Sequence, residues 1–357
     1  MSDFSNSFLD IIGTGFDGSV GSTTVSYGVG DGTFTNPIIK SVSNFSGTFT
    51  VDDFNNDNFA DIAVVVTSVV VGTSSRNAVS VLLGNGSDFI ASPVSASIGA
   101  TIFLLAEDFN QDGFKDLAAV GNQFAGSDPG SFAVMFGDGN GSFNSLTRYV
   151  PGYQPIAAAA HDFDNDGRKD LAVVNYSDGQ SPNPQGLSIL RAGANGRFLA
   201  VKNAVATPGH RLVVSGDFNR DGKNDLAVQY GSSSNGIGIY LGDGNNNFSS
   251  LNVLPQTGFA NSLCAADVNN DGILDLISTT QSPNKVYVRL GNGDGTFGSA
   301  SSFQAGANPY QTATGDFNSD GYIDLAVANS SSPSVSLLFG NGSGGYSAPT
   351  NLVTQSN

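Results

Sequence analysis

Tryptophan is absent from this 357-residue sequence, glutamate occurs once (Glu107), cysteine once (Cys264) and histidine twice (His161 and His210). A single cysteine excludes an internal disulfide framework and a thiolate zinc site. Its apolar setting, NSLCAAD, reads as a buried structural thiol. With one glutamate, 30 of the 31 acidic residues are aspartate, which favours turns over helix interiors. Nowhere do apolar residues keep a 3.6-residue period, so the chain reads as all-β. Basic residues are scarce as well, 14 in all, leaving a net charge of −17. Phosphate backbones are gripped by clustered Lys and Arg, so a nucleic-acid partner is excluded. No apolar run approaches the roughly 18 residues of a membrane-spanning helix, and no signal-peptide pattern opens the chain. Membrane insertion is not expected.

Glycine, by contrast, is abundant, at 46 residues, and one motif recurs. It reads DFNNDNFADIAVV from Asp53, DFNQDGFKDLAAV from Asp108 and DFDNDGRKDLAVV from Asp162. It returns as DFNRDGKNDLAVQ from Asp217, DVNNDGILDLIST from Asp267 and DFNSDGYIDLAVA from Asp316. A worn copy, DFSNSFLDII, starts at Asp3. Successive starts lie 49 to 55 residues apart, near the period of propeller blades. Length alone would suggest two or three domains; the repeat predicts a single one spanning 1–357.

Every repeat also holds a Gly-rich turn closed by an aromatic residue: VGDGTF, LGNGSDF, FGDGNGSF, AGANGRF, LGDGNNNF, LGNGDGTF and FGNGSGGY. Asn-Gly and Asp-Gly between apolar segments mark hairpins, because both residues tolerate positive φ. From the closing Phe to the next motif's first Asp is always 19 residues, so length variation is confined to the other half of the repeat. Each unit reads as four strands. Strand A enters the motif and is rich in small residues (PIAAAAHDF), strand B leaves it (KDLAVV), and strands C and D flank the hairpin. Seven such units predict a seven-bladed β-propeller of four-stranded blades. A β-solenoid, faintly suggested by GNGDGTF, would need a far shorter period. Closure is expected to be incomplete or unusual at the first repeat, which has no strand A before Asp3. That strand is either improvised from Val353–Asn357 or missing, as in a piece of a longer chain with other domains.

Positions 1, 3, 5 and 9 of the motif carry side-chain oxygens. The sets are Asp53, Asn55, Asp57 and Asp61; Asp108, Asn110, Asp112 and Asp116; and Asp162, Asp164, Asp166 and Asp170. The other three are Asp217, Asn219, Asp221 and Asp225; Asp267, Asn269, Asp271 and Asp275; and Asp316, Asn318, Asp320 and Asp324. Alternating oxygens on a tight turn converge, and a hard cation takes six to eight of them at about 2.3–2.6 Å. Gly at position 6 permits the turn, Asn58 being a tolerable substitute, and position 7 can offer its carbonyl. An oxygen-only set favours Ca²⁺ over zinc or copper, with Mg²⁺ as second choice. The plainer alternative is that these residues only form Asx-turns. Six copies between apolar strands weigh against it, since clustered carboxylates repel unless a dication relieves them. About six Ca²⁺ ions are therefore expected, which would bring the net charge from −17 to −5. The copy at Asp3, with Ser5 and no Asp at its fifth position, is expected to bind nothing.

The pattern D-x-[DN]-x-D-G-x-x-D-L, at a fifty-residue period with a Gly-rich hairpin, resembles the FG-GAP (VCBS-type) repeats over nearly the whole chain. Those repeats form the calcium-binding seven-bladed propeller of integrin α-subunit heads and occur in many bacterial surface proteins. The resemblance implies calcium loops joining strands A and B on one face. It implies ligand contacts on the opposite face, made by D–A and B–C loops.

Function is then sought in what fails to repeat. Long B–C connections are TSVVVGTSSRNA, GNQFAGSDPGS and YSDGQSPNPQG. The D–A turns bear Tyr153, His210 with Arg211, Phe259, and Tyr310, and aromatic and Arg side chains are favoured binding anchors, although surface turns vary without function too. The expected protein is a calcium-stabilised extracellular or cell-surface recognition or adhesion module for a protein or glycan. Missing tryptophan weakens a lectin, since sugar faces stack on aromatics. One alternative is a carbohydrate-active or phosphodiester-cleaving propeller enzyme. With two His, one Cys and no acid pair outside the repeated loops, however, no catalytic set can be named. Another alternative is a purely structural module of a larger surface protein.

Overall fold

The computed structural model describes residues 10–353 apart from 17–20, 36–37, 43, 72–73, 87, 92–95, 98–99, 124–130, 153, 176–185, 206–208, 231–235 and 332–333. The described elements are strands, except for a 3-10 turn at Ala194–Gly196. A three-stranded sheet comes first, made of β1 (Ile11–Phe16), β2 (Gly21–Ser26) and β3 (Ile38–Val42) in that order. Blade 1 follows with β4 (Phe45–Asp52), β5 (Asp61–Val71), β6 (Ser74–Gly84) and β7 (Phe89–Ala91), and β8 (Ala96–Ser97) also pairs with β6. Blade 2 is β9 (Ala100–Glu107), β10 (Asp116–Gln123), β11 (Ser131–Gly137) and β12 (Phe143–Tyr149). Blade 3 is β13 (Pro155–His161), β14 (Asp170–Asn175), β15 (Gly186–Ala192) and β16 (Phe198–Val205). Blade 4 is β17 (His210–Gly216), β18 (Asp225–Tyr230), β19 (Gly236–Gly242) and β20 (Phe248–Pro255). Blade 5 is β21 (Ala260–Ala266), β22 (Asp275–Thr280), β23 (Lys285–Arg289) and β24 (Ser301–Gln304). Blade 6 is β25 (Pro309–Gly315), β26 (Asp324–Asn329), β27 (Ser334–Leu338) and β28 (Thr350–Val353).

Six blades of four strands thus stand where seven were expected. The first sheet has counterparts of strands B, C and D only. Asp10 precedes β1 as Asp116 opens β10, and the Gly28 N–H donates to Asp10 Oδ1 (2.8 Å) as the Gly137 N–H does to Asp116 (2.9 Å). Among the described residues no strand A pairs with β1. Val353 ends β28 in blade 6, residues 354–357 lie outside the described part, and so does the worn copy from Asp3 to residue 9. The stretch TSVVVGTSSRNA, expected as a loop, is largely strand, because β5 and β6 each run to 11 residues. The other two long B–C connections fall mainly on residues outside the described ones.

The blades interlock through aromatic residues. The second residue of each loop is buried, and its ring meets edge-on the Phe that closes the next blade's hairpin. Centroid distances are 5.6 Å for Phe54–Phe143, 5.5 Å for Phe109–Phe198, 5.4 Å for Phe163–Phe248 and 5.6 Å for Phe218–Phe297. The loop that has Val268 instead lacks such a ring, and there Tyr346 turns to Phe303 (5.3 Å). The last blade's Phe317 meets Phe34 of the three-stranded sheet at 6.0 Å. The Gly32 N–H donates to Phe317 O (3.2 Å), as Gly141 does to Phe54 O (3.0 Å) and Gly295 to Phe218 O (3.0 Å). The sheet's other side, through Val25 and Val42, joins the core of blade 1 around Ile62 and Phe89. It therefore sits between blades 6 and 1 as every other sheet sits between its neighbours. Each buried ring is worth about 1.5–3 kcal/mol, with about 0.5–1.5 kcal/mol more for an edge-on pair.

Small residues in strand A serve the crowding at the centre. In β13, Ala158 packs into the core shared with blade 2, while Ala157 and Ala159 pack into the one shared with blade 4. Alternation along one strand thus feeds two interfaces.

Candidate metal centre

Each motif folds as one tight turn between strands A and B. In blade 2, Asp108 accepts the N–H groups of Asp112 (3.2 Å) and Gly113 (2.9 Å) on its two oxygens. Asn110 Oδ1 accepts the Asp112 N–H (2.9 Å), its amide donates to Asp112 Oδ2 (2.9 Å), and Asp112 Oδ1 accepts the Phe114 N–H (2.9 Å). Gln111 at φ 61° and Gly113 at φ 88° let the chain reverse twice within three residues. Blades 5 and 6 repeat this pattern bond for bond. The Asx-turn reading is therefore fully realised. It does not compete with an ion, since each of these oxygens has a second lone pair.

Position 9 is different from the rest of the set. Asp61, Asp116, Asp170, Asp225, Asp275 and Asp324 are fully buried. Each carboxylate is held by two backbone N–H groups. Asp225 takes those of Phe218 and Gly242, both at 2.9 Å, and Asp116 takes those of Phe109 (2.8 Å) and Gly137 (2.9 Å). The ninth aspartate is thus a clamp that fastens the turn to the end of strand C in its own blade. Burial pushes the carboxyls of Asp61, Asp116, Asp170, Asp225 and Asp275 up to about 6 against the pull of those N–H donors, and moves Asp324 the same way. A cation beside them would favour the ionised form again.

The donor set fits a hard cation: carboxylate and amide oxygens on one turn, with no sulfur or ring nitrogen. In blade 3, oxygens of Asp162, Asp164 and Asp166 lie within 4.8 Å of one another, a group that leaves out the clamp Asp170. His161, beside that turn, is partly buried and edge-on to Phe163 at 6.4 Å.

Strand A ends at the turn, so its start marks the opposite end of the blade. There Arg211 of β17, Phe259 just before β21 and Tyr310 of β25 stand on three successive blades, with Phe259 49% and Tyr310 58% exposed. The Arg211 guanidinium carbon lies 5.7 Å from the Phe259 ring centroid, within cation–π range. The Asn261 amide donates to Pro309 O (2.8 Å), tying blade 5 to blade 6 beneath them. His210, expected on this surface, is fully buried, its ring 4.8 Å from that of Tyr230; it does not reach the surface. Tyr153 lies outside the described residues.

Burial pushes His210 down to about 4, against about 6.5 in an unfolded chain. Between pH 6.5 and 4 the unfolded state therefore takes up a proton that the folded state refuses at this residue, so the contribution of His210 to stability falls as pH falls through that window. The expected loss is up to about 3 kcal/mol at pH 4 relative to pH 7. His210→Gln should remove it, so the difference between wild-type and variant denaturation midpoints should shrink on acidification. A constant difference would refute the buried neutral imidazole.

A family profile described as an FG-GAP-like repeat matches residues 108–173, 162–228, 217–278 and 267–327, and a second, described as an FG-GAP repeat, matches 308–348. Among solved structures, the fold is similar to that of a periplasmic gluconolactonase from Pseudomonas aeruginosa, with TM-score 0.63 and 16% identity over 97% of this chain and 96% of that one. It is also similar to a protein from Lactobacillus plantarum, with TM-score 0.65 and 14% identity over 97% and 96%. None of the curated protein sequences matches the chain.

Proposed function

We propose a binding role for this chain, which belongs to the FG-GAP-like repeat family: a propeller stabilised by calcium in its A–B turns that recognises a protein or glycan on the opposite end. The observation that carries the reading is the row Arg211, Phe259 and Tyr310. These are large, exposed side chains placed at the same end of three adjoining blades, on a scaffold whose other end is taken up by regular turns. Arg and aromatic residues supply most of the energy where proteins meet their ligands. Sites of the extracellular type bind calcium at about 10⁻⁴–10⁻³ M, which suits an extracellular, cell-surface or periplasmic protein. A periplasmic structural neighbour supports the same setting.

The test is a glycan and protein-ligand screen with and without calcium, repeated with the triple variant R211A/F259A/Y310A. Capture is expected only with calcium and should weaken at least about tenfold in the variant. Equal capture by the variant would overturn the binding face. The enzyme alternative has the gluconolactonase fold in its favour. It predicts faster lactone hydrolysis than in buffer, whereas the binding reading predicts none.

A further inference from the structure

We infer that the blade 3 turn carries its own cation: the guanidinium groups of Arg191 and Arg168 pair with the carboxylates of Asp164 and Asp166, so this turn takes no ion at millimolar calcium. The inference rests on the calcium reading above and concerns which of the six turns obey it.

Three departures from the repeat meet at this one place. The first is at position 3, where the other five turns have asparagine. In four of those turns, its amide visibly donates to the position-5 aspartate, at 2.9 Å in Asn55–Asp57, Asn110–Asp112 and Asn318–Asp320 and 2.8 Å in Asn269–Asp271. Asp164 has no hydrogen to give, and it puts a third carboxylate beside Asp162 and Asp166. Donors must come from elsewhere.

They come from the second departure. Arg191 Nε pairs with Asp164 Oδ2, and its Nη2 lies 3.3 Å from Asp166 Oδ2. Arg168 Nη2 pairs with the same Asp166 oxygen, while its Nε donates to Ala192 O at 3.2 Å, which fixes it to strand C. In the register of strand C, Arg191 stands where the other five blades have Leu83, Phe136, Leu241, Leu290 and Phe339. Those apolar side chains lie against a hairpin glycine of the next sheet. A Cβ on Gly141, for example, would come within 2.6 Å of Leu83.

The third departure is that glycine's replacement. Opposite Arg191 the hairpin of blade 4 has Asn246, at φ 60° and buried, and its amide donates to Asp164 Oδ2 at 3.0 Å. Apolar packing between the two blades has been exchanged for a polar network centred on Asp164. Two guanidinium groups tethered to the turn and its strand face its carboxylates at high effective concentration. A dication entering among them would meet like charge and would have to displace hydrogen bonds that match carboxylates in geometry. Lys223 in blade 4 makes a single long contact with Asp221, at 3.5 Å, and no such network.

Counting calcium tests this directly. Equilibrium dialysis of the purified chain over a calcium series rising to about 50 mM, far above dissociation constants of about 10⁻⁴–10⁻³ M, with the binding curve taken to its plateau, is expected to show five bound ions. The variant R168F/R191L, which installs side chains that other blades use, should show six. The converse variant N269D/I273R/L290R, which places the same aspartate and both arginines in blade 5, should show four, and it decides the matter if the first variant fails to fold. Six ions on the wild type, or unchanged counts in the folded variants, would overturn the inference while leaving calcium in place. No bound ions at all would sink the calcium reading and this inference with it.

Discussion

Chelation is expected to lower the stability of the folded chain by about 7 kcal/mol relative to a solution with calcium at ten times its dissociation constant. An ion that binds only the folded state contributes RT ln(1 + [L]/Kd), about 1.4 kcal/mol per site at that concentration, and five turns act independently to a first approximation. For comparison, the whole stability of a folded domain is typically about 5–15 kcal/mol. In EDTA the melting temperature should therefore drop steeply, and added calcium should restore it. Magnesium should restore less, because it keeps its waters and needs stricter geometry. A melt indifferent to EDTA would mean that the Asx-turns hold themselves together and that calcium has no part in the fold.

Replacing Asp225 by alanine is expected to cost about 2–6 kcal/mol, with or without calcium. Its two oxygens accept the buried N–H groups of Phe218 and Gly242, each at 2.9 Å, and a buried donor left without a partner costs about 1–3 kcal/mol. Asp221→Ala makes the contrast. Asp221 lies on the exposed part of the turn, where water can replace it as acceptor for the Lys223 N–H, so its loss should matter in calcium and very little in EDTA. Urea denaturation of both variants in both buffers separates clamp from ligand. If Asp225→Ala were harmless in EDTA, the ninth residue would be a ligand and nothing more.

Much of this architecture is legible in the residues. The period, the Asn-Gly and Asp-Gly hairpins and the small-residue strands place the blades. The alternating oxygens place the turns. The clamp was harder to see. Asp116 is eight residues from Asp108, and its second partner, Gly137, is another 21 residues on. Only the pairing of strands B and C brings them together, so spacing within the motif suggested a ligand. Blade number was overread for a similar reason. VGDGTF and the run after Asp10 have every local mark of a full repeat, and the lack of an inner strand among the described residues leaves no trace in the other three. His210 and Arg211 are adjacent at the start of β17, where strand alternation sends one inward and the other out; which of the two is set by how β17 pairs with β18. The arginine network did leave a mark, since Asp164 alone among six turns breaks the Asn rule.

Because the ring of each loop phenylalanine is covered by the blade that follows, most blades are finished by their neighbour. A protease cut in a far-side B–C connection would sever the backbone without exposing Phe54, Phe109, Phe163, Phe218 or Phe317. The two pieces would stay joined across interfaces that each still need the other half. A missing blade would be another matter, since it would leave a greasy face at each of two raw ends. The propeller can thus survive nicking far more readily than shortening, and new segments are best introduced where the repeat already varies in length.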